Sequence, residues 1–517
     1  MEIFTLVDII ENASTSQPDK EAFKCGKETI TYRELSIKTS QLAHYLNQQG
    51  VKIGDRVGIY LNRSLETAIA IYGILKAGAA YVPLDFSAPH TRTSYVLKNC
   101  DIRYLISSPK LRSKVKSLLE TESNLSAVIG LKTDIISSVD WEDIYTINIS
   151  NFKPLKITGH NLAYVMFTSG STGLPKGIMH THNSGLNYAK LSASLYDVTL
   201  NDRVGNHAPI HFDISTFGYF SAPLRCATTI IATDAHTKLP SSLAQLIDEE
   251  NLSIWYSVPL ALIQILQTGL LDRYKMFSLR WVLFGGEVFP LKHLRTFIEK
   301  WEHVTFSNVY GPAEVNQCTF YNFRSLPDFI DTLPIGKVWG NTSFRVLDEC
   351  DNPVKLGDKG KLLINSGTMM QGYWKNPELT SKSFYTENSD DGLEIKFYRT
   401  GDIVSEREDG NLLFYGRNDR QVKVRGYRIE LDEIEASILK HPEIREVAVI
   451  VDTRTDATLI YTAVLLIENS RLTAHEVKLY CKQNLPVYAI PDIIQIHTNL
   501  PRTSSGKIDR KHLTPNN

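Results

Sequence analysis

The ten residues Thr168-Ser169-Gly170-Ser171-Thr172-Gly173-Leu174-Pro175-Lys176-Gly177 carry four hydroxyls, three glycines and one lysine. Glycines let backbone N–H groups approach an anion, hydroxyls donate to phosphate oxygens, and a lysine adds positive charge. The P-loop pattern requires Gly directly before the Lys and Ser or Thr directly after it; here Pro175 and Gly177 flank Lys176. A lone Gly-rich turn reads as a surface loop, but this density of donors reads as a holder of phosphate oxygens. Three acids stand out further along. Glu314 ends Asn308-Val309-Tyr310-Gly311-Pro312-Ala313-Glu314, Asp402 follows Thr400-Gly401, and Asp213 lies in His207-Ala208-Pro209-Ile210-His211-Phe212-Asp213-Ile214-Ser215. A carboxylate beside phosphates suits a hard cation such as Mg2+. A carboxylate also accepts well from a diol, and a buried one needs a cationic partner. Each acid alone has a plainer role, in a turn or at a helix start.

These residues sit at the ends of recognisable elements. Val57 to Leu61, Tyr81 to Asp85, Ala163 to Phe167, Thr228 to Ala232, Ser253 to Val258 and Trp281 to Phe284 read as short buried strands. Helical-period segments separate them, Leu65 to Lys76 being the clearest. That order predicts α/β layers with substantial parallel pairing. Gly360 to Asn365 and Asn411 to Tyr415 predict a later β-rich region. A boundary is expected at Gly416-Arg417-Asn418-Asp419-Arg420. About a hundred residues follow it, enough for a small α+β domain. Its elements are a helix from Leu431 to Leu439 and strands at Val447 to Val451 and Ala463 to Ile467.

The chain has 517 residues, with 56 basic and 57 acidic side chains and a net charge of −1. That balance removes the argument for a general nucleic-acid or anionic-membrane binder. Six scattered cysteines form no CxxC pair, which speaks against a zinc ribbon and a disulfide scaffold. The start, Met1 to Asp8, lacks a basic region and does not read as a signal peptide. No long uninterrupted apolar run predicts a membrane span, and a cytoplasmic location is the default expectation.

The loop at 168–177 resembles the phosphate loop of the adenylate-forming superfamily, which includes acyl- and aryl-CoA synthetases, luciferases and the adenylation domains of nonribosomal peptide synthesis. Further motifs resemble that superfamily in chain order. They are Thr31-Tyr32-Arg33-Glu34-Leu35, Lys76 to Asp85, Gly372-Tyr373-Trp374, Tyr398-Arg399-Thr400-Gly401-Asp402, Gly416-Arg417-Asn418-Asp419 and Asn499 to Lys507. The resemblance implies a two-domain α/β fold. Residues 1–418 would form a core of α/β layers with a distorted β-barrel, and 419–517 a small mobile α+β domain. It also implies ATP and Mg2+ as cofactors. Thr168, Ser169, Gly170, Ser171, Thr172, Gly173 and Lys176 would hold the β- and γ-phosphates, and Glu314 the magnesium. Gly286, Glu287, Asn308, Tyr310, Gly311, Pro312 and Ala313 would line the nucleotide, with Asn308 bonding to adenine and Tyr310 stacking on it. Asp402 would bind the ribose hydroxyls, and Arg417 and Lys423 the nucleotide edge. Asp419 matches the hinge. Lys507 resembles the lysine that bridges the substrate carboxylate and the α-phosphate, which makes Lys507, Lys176 and Glu314 the expected catalytic set. One departure is Ala313, where the family usually has Thr; its loss predicts slower or retuned adenylation.

Asp213 resembles the acid that pairs with the substrate ammonium in amino-acid-activating members. The matching substrate pocket is Asp213, Ile214, Phe217, Ser257, Leu283, Gly285, Val309, Gln317, Cys318 and Lys507. Phe217 is expected to shorten it and Gly285 to leave room on one wall. Gln317 is its strongly polar member, with Ser257 second. The pattern implies a small or medium α-amino acid, with proline as a lead, since nearby runs resemble freestanding prolyl- and D-alanyl-carrier-protein ligases. No Gly-Gly-x-Ser site follows Lys507, so a separate phosphopantetheinylated carrier protein is the expected acceptor. The competing readings are a CoA ligase and a noncatalytic nucleotide-binding relative.

Overall fold

The computed structural model describes residues 2–121, 124–170, 174–327, 330–388, 391–452, 454, 458–502 and 508–513. The chain divides into two compact units. The first comprises Met1–Phe86, Leu97–Met166 and Gly177–Gly416. The second comprises Ser87–Val96, Phe167–Lys176 and Arg417–Asn517. The break at Gly416 falls at the polar stretch singled out in the sequence. Two short segments before it group with the second unit, where Arg92 pairs with Glu433 at 2.6 Å and Ser169 Oγ donates to Arg428 O at 2.6 Å.

In the first unit, one sheet has eight strands and another nine. Short Val/Ile/Leu-rich runs become strands buried on both faces, as parallel pairing requires. In the eight-stranded sheet Arg56–Ile59 pairs in parallel with both Ala80–Pro83 and Tyr104–Ile106. The helix Leu65–Lys76 connects two of these strands, and all its residues from Leu65 except Glu66 are buried. A helix apolar on every side belongs inside a core. Its Gly73 allows the helix Tyr32–Gln48 close: a Cβ there would stand 2.6 Å from the Leu42 side chain.

The nine-stranded sheet positions the site. Arg203–Asn206, Ile254–Ser257, Trp281–Gly285 and Thr305–Tyr310 lie side by side and parallel. Their carboxyl ends, where an open parallel sheet binds ligands, carry the His207 to Asp213 run, Ser257, Gly285-Gly286 and Asn308 to Tyr310. The strand Thr319–Phe323 then returns antiparallel against Thr305–Tyr310, with Gln317 and Cys318 just before it.

The β-rich region is a five-stranded sheet in which Thr342–Leu347, Gly360–Ser366, Glu394–Glu406 and Phe384–Asn388 pair in that order and Leu412–Arg417 adds to Glu394–Glu406. Where a barrel is expected, the order of the described strands stays open. Asp402 lies on the long strand Glu394–Glu406.

The second unit opens with the hairpin Gln421–Val424 and Tyr427–Glu430. Arg425 at φ 56° and Gly426 at φ 79° make the two-residue turn between them, the left-handed pair that a tight hairpin demands. The helix Leu431–Ile438 packs on a three-stranded sheet of Ile444–Asp452, Leu459–Leu466 and Ile493–His497. Glu435 ties these together: it accepts from Arg420 at 2.7 Å, from Arg510 at 2.8 Å and from Val449 N at 2.7 Å. Five of the six cysteines are buried and all are free thiols.

Candidate functional site

Two acid–phenol pairs sit in the first unit. Glu314 is 0% exposed, and Tyr373 Oη donates to its Oε1 at 2.7 Å. Tyr398 Oη lies 3.4 Å from Tyr373 Oη, extending the line of phenols. The backbone at Glu314 is fixed too: its carbonyl accepts from Met370 N at 2.7 Å. Tyr310 Oη donates to Asp402 Oδ2. Burial, and then the Asp402 charge, hold the Tyr310 phenol well above its ordinary range, so it stays a donor.

The turn that carries Glu314 is tightly built. A Cβ on Gly311 would stand 1.6 Å from Asn316 O, so no larger residue fits. Asn316 itself takes φ 57°. Beside it, His180 Nε2 is 2.9 Å from Ala313 O. Burial pushes the His180 pKa down to about 4, so the ring is neutral and its Nε2–H donates to that carbonyl. Asn308 Nδ2 donates to Pro334 O at 2.7 Å, which fixes the amide at the end of its strand.

Asp213 begins the short helix Asp213–Ser215. Its Oδ1 accepts from Ile214 N at 2.9 Å, and its carbonyl accepts from Thr216 Oγ1 at 2.5 Å. Asn316 Nδ2 donates to the same Thr216 Oγ1 at 3.3 Å, linking the Glu314 turn to the Asp213 helix. Three buried phenols, Tyr164, Tyr188 and Tyr256, are pushed up chiefly by burial and also by the Asp213 charge. Asp213 thus lies within electrostatic reach of these three phenols.

Four of the residues expected to line a side-chain pocket share one cluster. Phe217, Leu283 and Val309 are buried together, with Ile214 packed against them. The Phe217 ring meets Tyr196 and Tyr256 edge-on, each at 5.9 Å. Ser257 is buried and is committed to the fold: its Oγ accepts from Trp255 Nε1 at 2.9 Å and donates to Val258 O at 3.1 Å. Cys318 Sγ is 3.6 Å from Tyr310 O. Gly285 corrects an expectation. A Cβ there would meet Val309 O at 2.3 Å, so this glycine serves close strand approach and does not open a wall. Gly286 follows at φ 90°, a left-handed position that favours glycine.

In the second unit Arg417 closes a two-bond fork on Asp419, at 2.7 and 2.8 Å. Burial works to raise the Asp419 carboxyl, but this pairing outweighs it and holds the group below its ordinary range. Lys423 lies on the first hairpin strand and Lys176 begins the strand Lys176–Thr181. Thr168 Oγ1 is buried and has no hydrogen-bond partner among the described residues. Ser171, Thr172, Gly173 and Lys507 lie outside the described residues.

Among the described residues no three His, Cys, Asp or Glu side chains gather as a metal cage. One buried carboxylate suits a cation that draws most of its shell from phosphate and water, which is how Mg2+ binds beside nucleotides. No helix among the described residues is long and apolar enough to cross a membrane. Sequence reading named the motif of Tyr373 without giving it a site role, and it missed Tyr196, which bonds to Gln317 at 2.9 Å. The motif position was a usable signal for Tyr373; nothing in the sequence joins Tyr196 to Gln317, 121 residues away.

Residues 10–374 match the family profile of AMP-binding enzymes, and 433–507 match that of the AMP-binding enzyme C-terminal domain. Bacitracin synthase 1 of Bacillus licheniformis is 32% identical over 98% of this chain, which spans 9% of that protein's length. An L-proline--[L-prolyl-carrier protein] ligase of Streptomyces coelicolor is 32% identical over 98% of this chain and 96% of its own. Among solved structures, the amide bond synthetase McbA of Marinactinospora thermotolerans superposes with a TM-score of 0.86 at 20% identity, covering 98% of each chain. That last likeness is one of fold.

Proposed function

Since the chain belongs to the AMP-binding enzyme family, we propose that it activates a small or medium α-amino acid with ATP. The amino-acid carboxylate oxygen attacks the α-phosphorus, the bond from that phosphorus to the bridging oxygen breaks, and pyrophosphate leaves. The aminoacyl-AMP then meets the phosphopantetheine thiolate of a separate carrier protein. Sulfur attacks the acyl carbon, and AMP departs.

The observation that carries the amino-acid reading is the placement of Asp213, a half-buried acid that opens the short helix Asp213–Ser215 beyond the carboxyl end of the strand Arg203–Asn206. An ammonium is the cation an α-amino acid supplies. Asp402, with Tyr310 beside it, accepts from the ribose diol. Lys176 and the loop hydroxyls orient the departing phosphates, and Lys507 bridges the carboxylate and the α-phosphate, offsetting the repulsion of two anions. Mg2+, when bound, neutralises phosphate charge. Glu314 holds it through a carboxylate that Tyr373 keeps in place. Asp419, at the junction, absorbs the torsion change that lets the small domain serve both half-reactions.

Asp213→Ala tests the reading. Exchange of pyrophosphate into ATP should fall by about a hundredfold or more with an amino acid, as expected for a lost charge partner. It should change little with the corresponding desamino acid. Equal losses for both would remove the ammonium role.

A further inference from the structure

The run from His207 to Asp213 leaves the nine-stranded sheet at Asn206 and is met there by a residue of the other sheet. Asn206 ends the strand Arg203–Asn206, and its carbonyl still accepts from Ala232 N at 3.1 Å. The next two carbonyls lie past the ladder and need donors from elsewhere. Arg63 supplies them: its Nη1 donates to His207 O at 2.5 Å and to Ala208 O at 3.3 Å. Arg63 sits between the strand Arg56–Ile59 of the eight-stranded sheet and the helix Leu65–Lys76. Its side chain is 15% exposed, and Asp234 Oδ1 stands 3.5 Å from its Nε.

The rest of the run is tied down in turn. Pro209 O accepts from Phe212 N at 3.0 Å, and Phe212 O accepts from Ser215 N at 3.0 Å and from Ser215 Oγ at 2.6 Å. Asp213 follows Phe212 at the start of its short helix. The backbone that carries this acid is therefore held by its own helix at one end and by Arg63 at the other. Asp85, just past the strand Ala80–Pro83 of the eight-stranded sheet, faces the same run, with its Oδ2 3.9 Å from His211 Nε2. A guanidinium is planar and always charged, so one group can serve two carbonyls in a fixed geometry. Bonds from a charged donor are stronger than neutral ones, and a small misplacement of a binding group costs much of its effect.

We infer that Arg63 is a positioning residue for the substrate ammonium: it fixes the backbone leading to Asp213, so the eight-stranded sheet sets the acid that the nine-stranded sheet carries. This rests on the amino-acid-activation reading.

The test is ATP–pyrophosphate exchange by the full-length protein with the accepted amino acid and with its desamino counterpart. The readout is the ratio of the two kcat/KM values. A ratio taken within one protein does not depend on the folded fraction, so a merely structural role would leave it unmoved. Arg63→Gln should lower the preference for the amino acid by about tenfold, as for the loss of a charge-assisted bond. Arg63→Lys keeps one cationic donor and should lower it less. Loss of a nearby cation would by itself favour an ammonium, so a fall in preference reports lost positioning and not lost charge. On an Asp213→Ala background, Arg63→Gln should change the ratio by no more than about twofold, because a residue that acts through another is not additive with it. An unchanged ratio in Arg63→Gln would overturn the inference and leave amino-acid activation standing. So would a full tenfold fall on the Asp213→Ala background. Exchange with aryl or fatty acids and with no amino acid would overturn the activation reading and this inference with it.

Discussion

Tyr373 Oη donates to Glu314 Oε1 at 2.7 Å, so a phenol on the short strand Gly372–Tyr373 of the eight-stranded sheet holds an acid from the turn after the strand Thr305–Tyr310. Glu314 is 0% exposed. A carboxylate buried this deeply keeps its orientation only if its oxygens are bonded.

Tyr373→Phe should therefore loosen the carboxylate without removing it. The expected result is a rise in the Mg2+ concentration giving half-maximal exchange, by about five- to tenfold for the loss of one typical hydrogen bond. Glu314→Gln should raise it further. Titrating Mg2+ at saturating nucleotide separates the two variants; identical titrations for wild type and Tyr373→Phe would contradict the holding role.

Asp402 and Tyr310 separate differently. Tyr310→Phe keeps an aromatic face and removes the proton donated to Asp402. The nucleotide KM should rise by no more than about fivefold, the worth of one such bond. Asp402→Asn removes the acceptor of the ribose diol, and KM for ATP should rise by at least about tenfold. Equal effects would mean that Asp402 acts through Tyr310 and not on the ribose.

Much of this was legible in the sequence. The helix Leu65–Lys76 has the bounds its apolar period predicts, because every side of it is buried and no polar face blurs the pattern. The six parallel strands named from their apolar runs lie within a residue or two of those bounds, but Arg203–Asn206 and Thr305–Tyr310, which also position the site, were not named. The motifs named Glu314, Asp213 and Asp402 as acids with work to do. The partners were not legible. Tyr196 reaches Gln317, and Tyr373 reaches Glu314, through tertiary packing that no local spacing records. Gly285 was misread for a related reason: a missing side chain looks like space until the neighbouring Val309 carbonyl is seen at 2.3 Å from where a Cβ would be.

Ala313 offers a gain-of-function test. Its carbonyl is engaged by His180, and its side chain lacks the hydroxyl that the family usually has there. Ala313→Thr should raise the exchange rate by about fivefold, corresponding to roughly 1 kcal/mol from one restored bond at the transition state. An unchanged or lower kcat, with a normal melting temperature, would show that the pocket has adapted to alanine.

Three histidines, of which His180 and His182 are fully buried, set a pH dependence of stability. Burial pushes His180 and His182 from 6.5 down to about 4, and His207 down to about 3. The unfolded chain therefore binds more protons than the folded one below an ordinary histidine pKa of about 6.5. Stability from these groups is present above that value and is lost as pH falls towards the folded values, by up to about 1.4 kcal/mol per pH unit for each ring. The melting temperature should drop between pH 7 and pH 5. The drop should be shallower in His182→Asn, measured by thermal unfolding at several pH values. A slope unchanged by that substitution would contradict the burial effect.

Amino-acid activation itself is best tested by ATP–pyrophosphate exchange over L-, D- and nonproteinogenic amino acids, with aryl and fatty acids alongside and no CoA present. Strong exchange with a narrow set of amino acids, and none with the simple acids, is the expected result. Exchange driven by an aryl or fatty acid, with every amino acid silent, would contradict it.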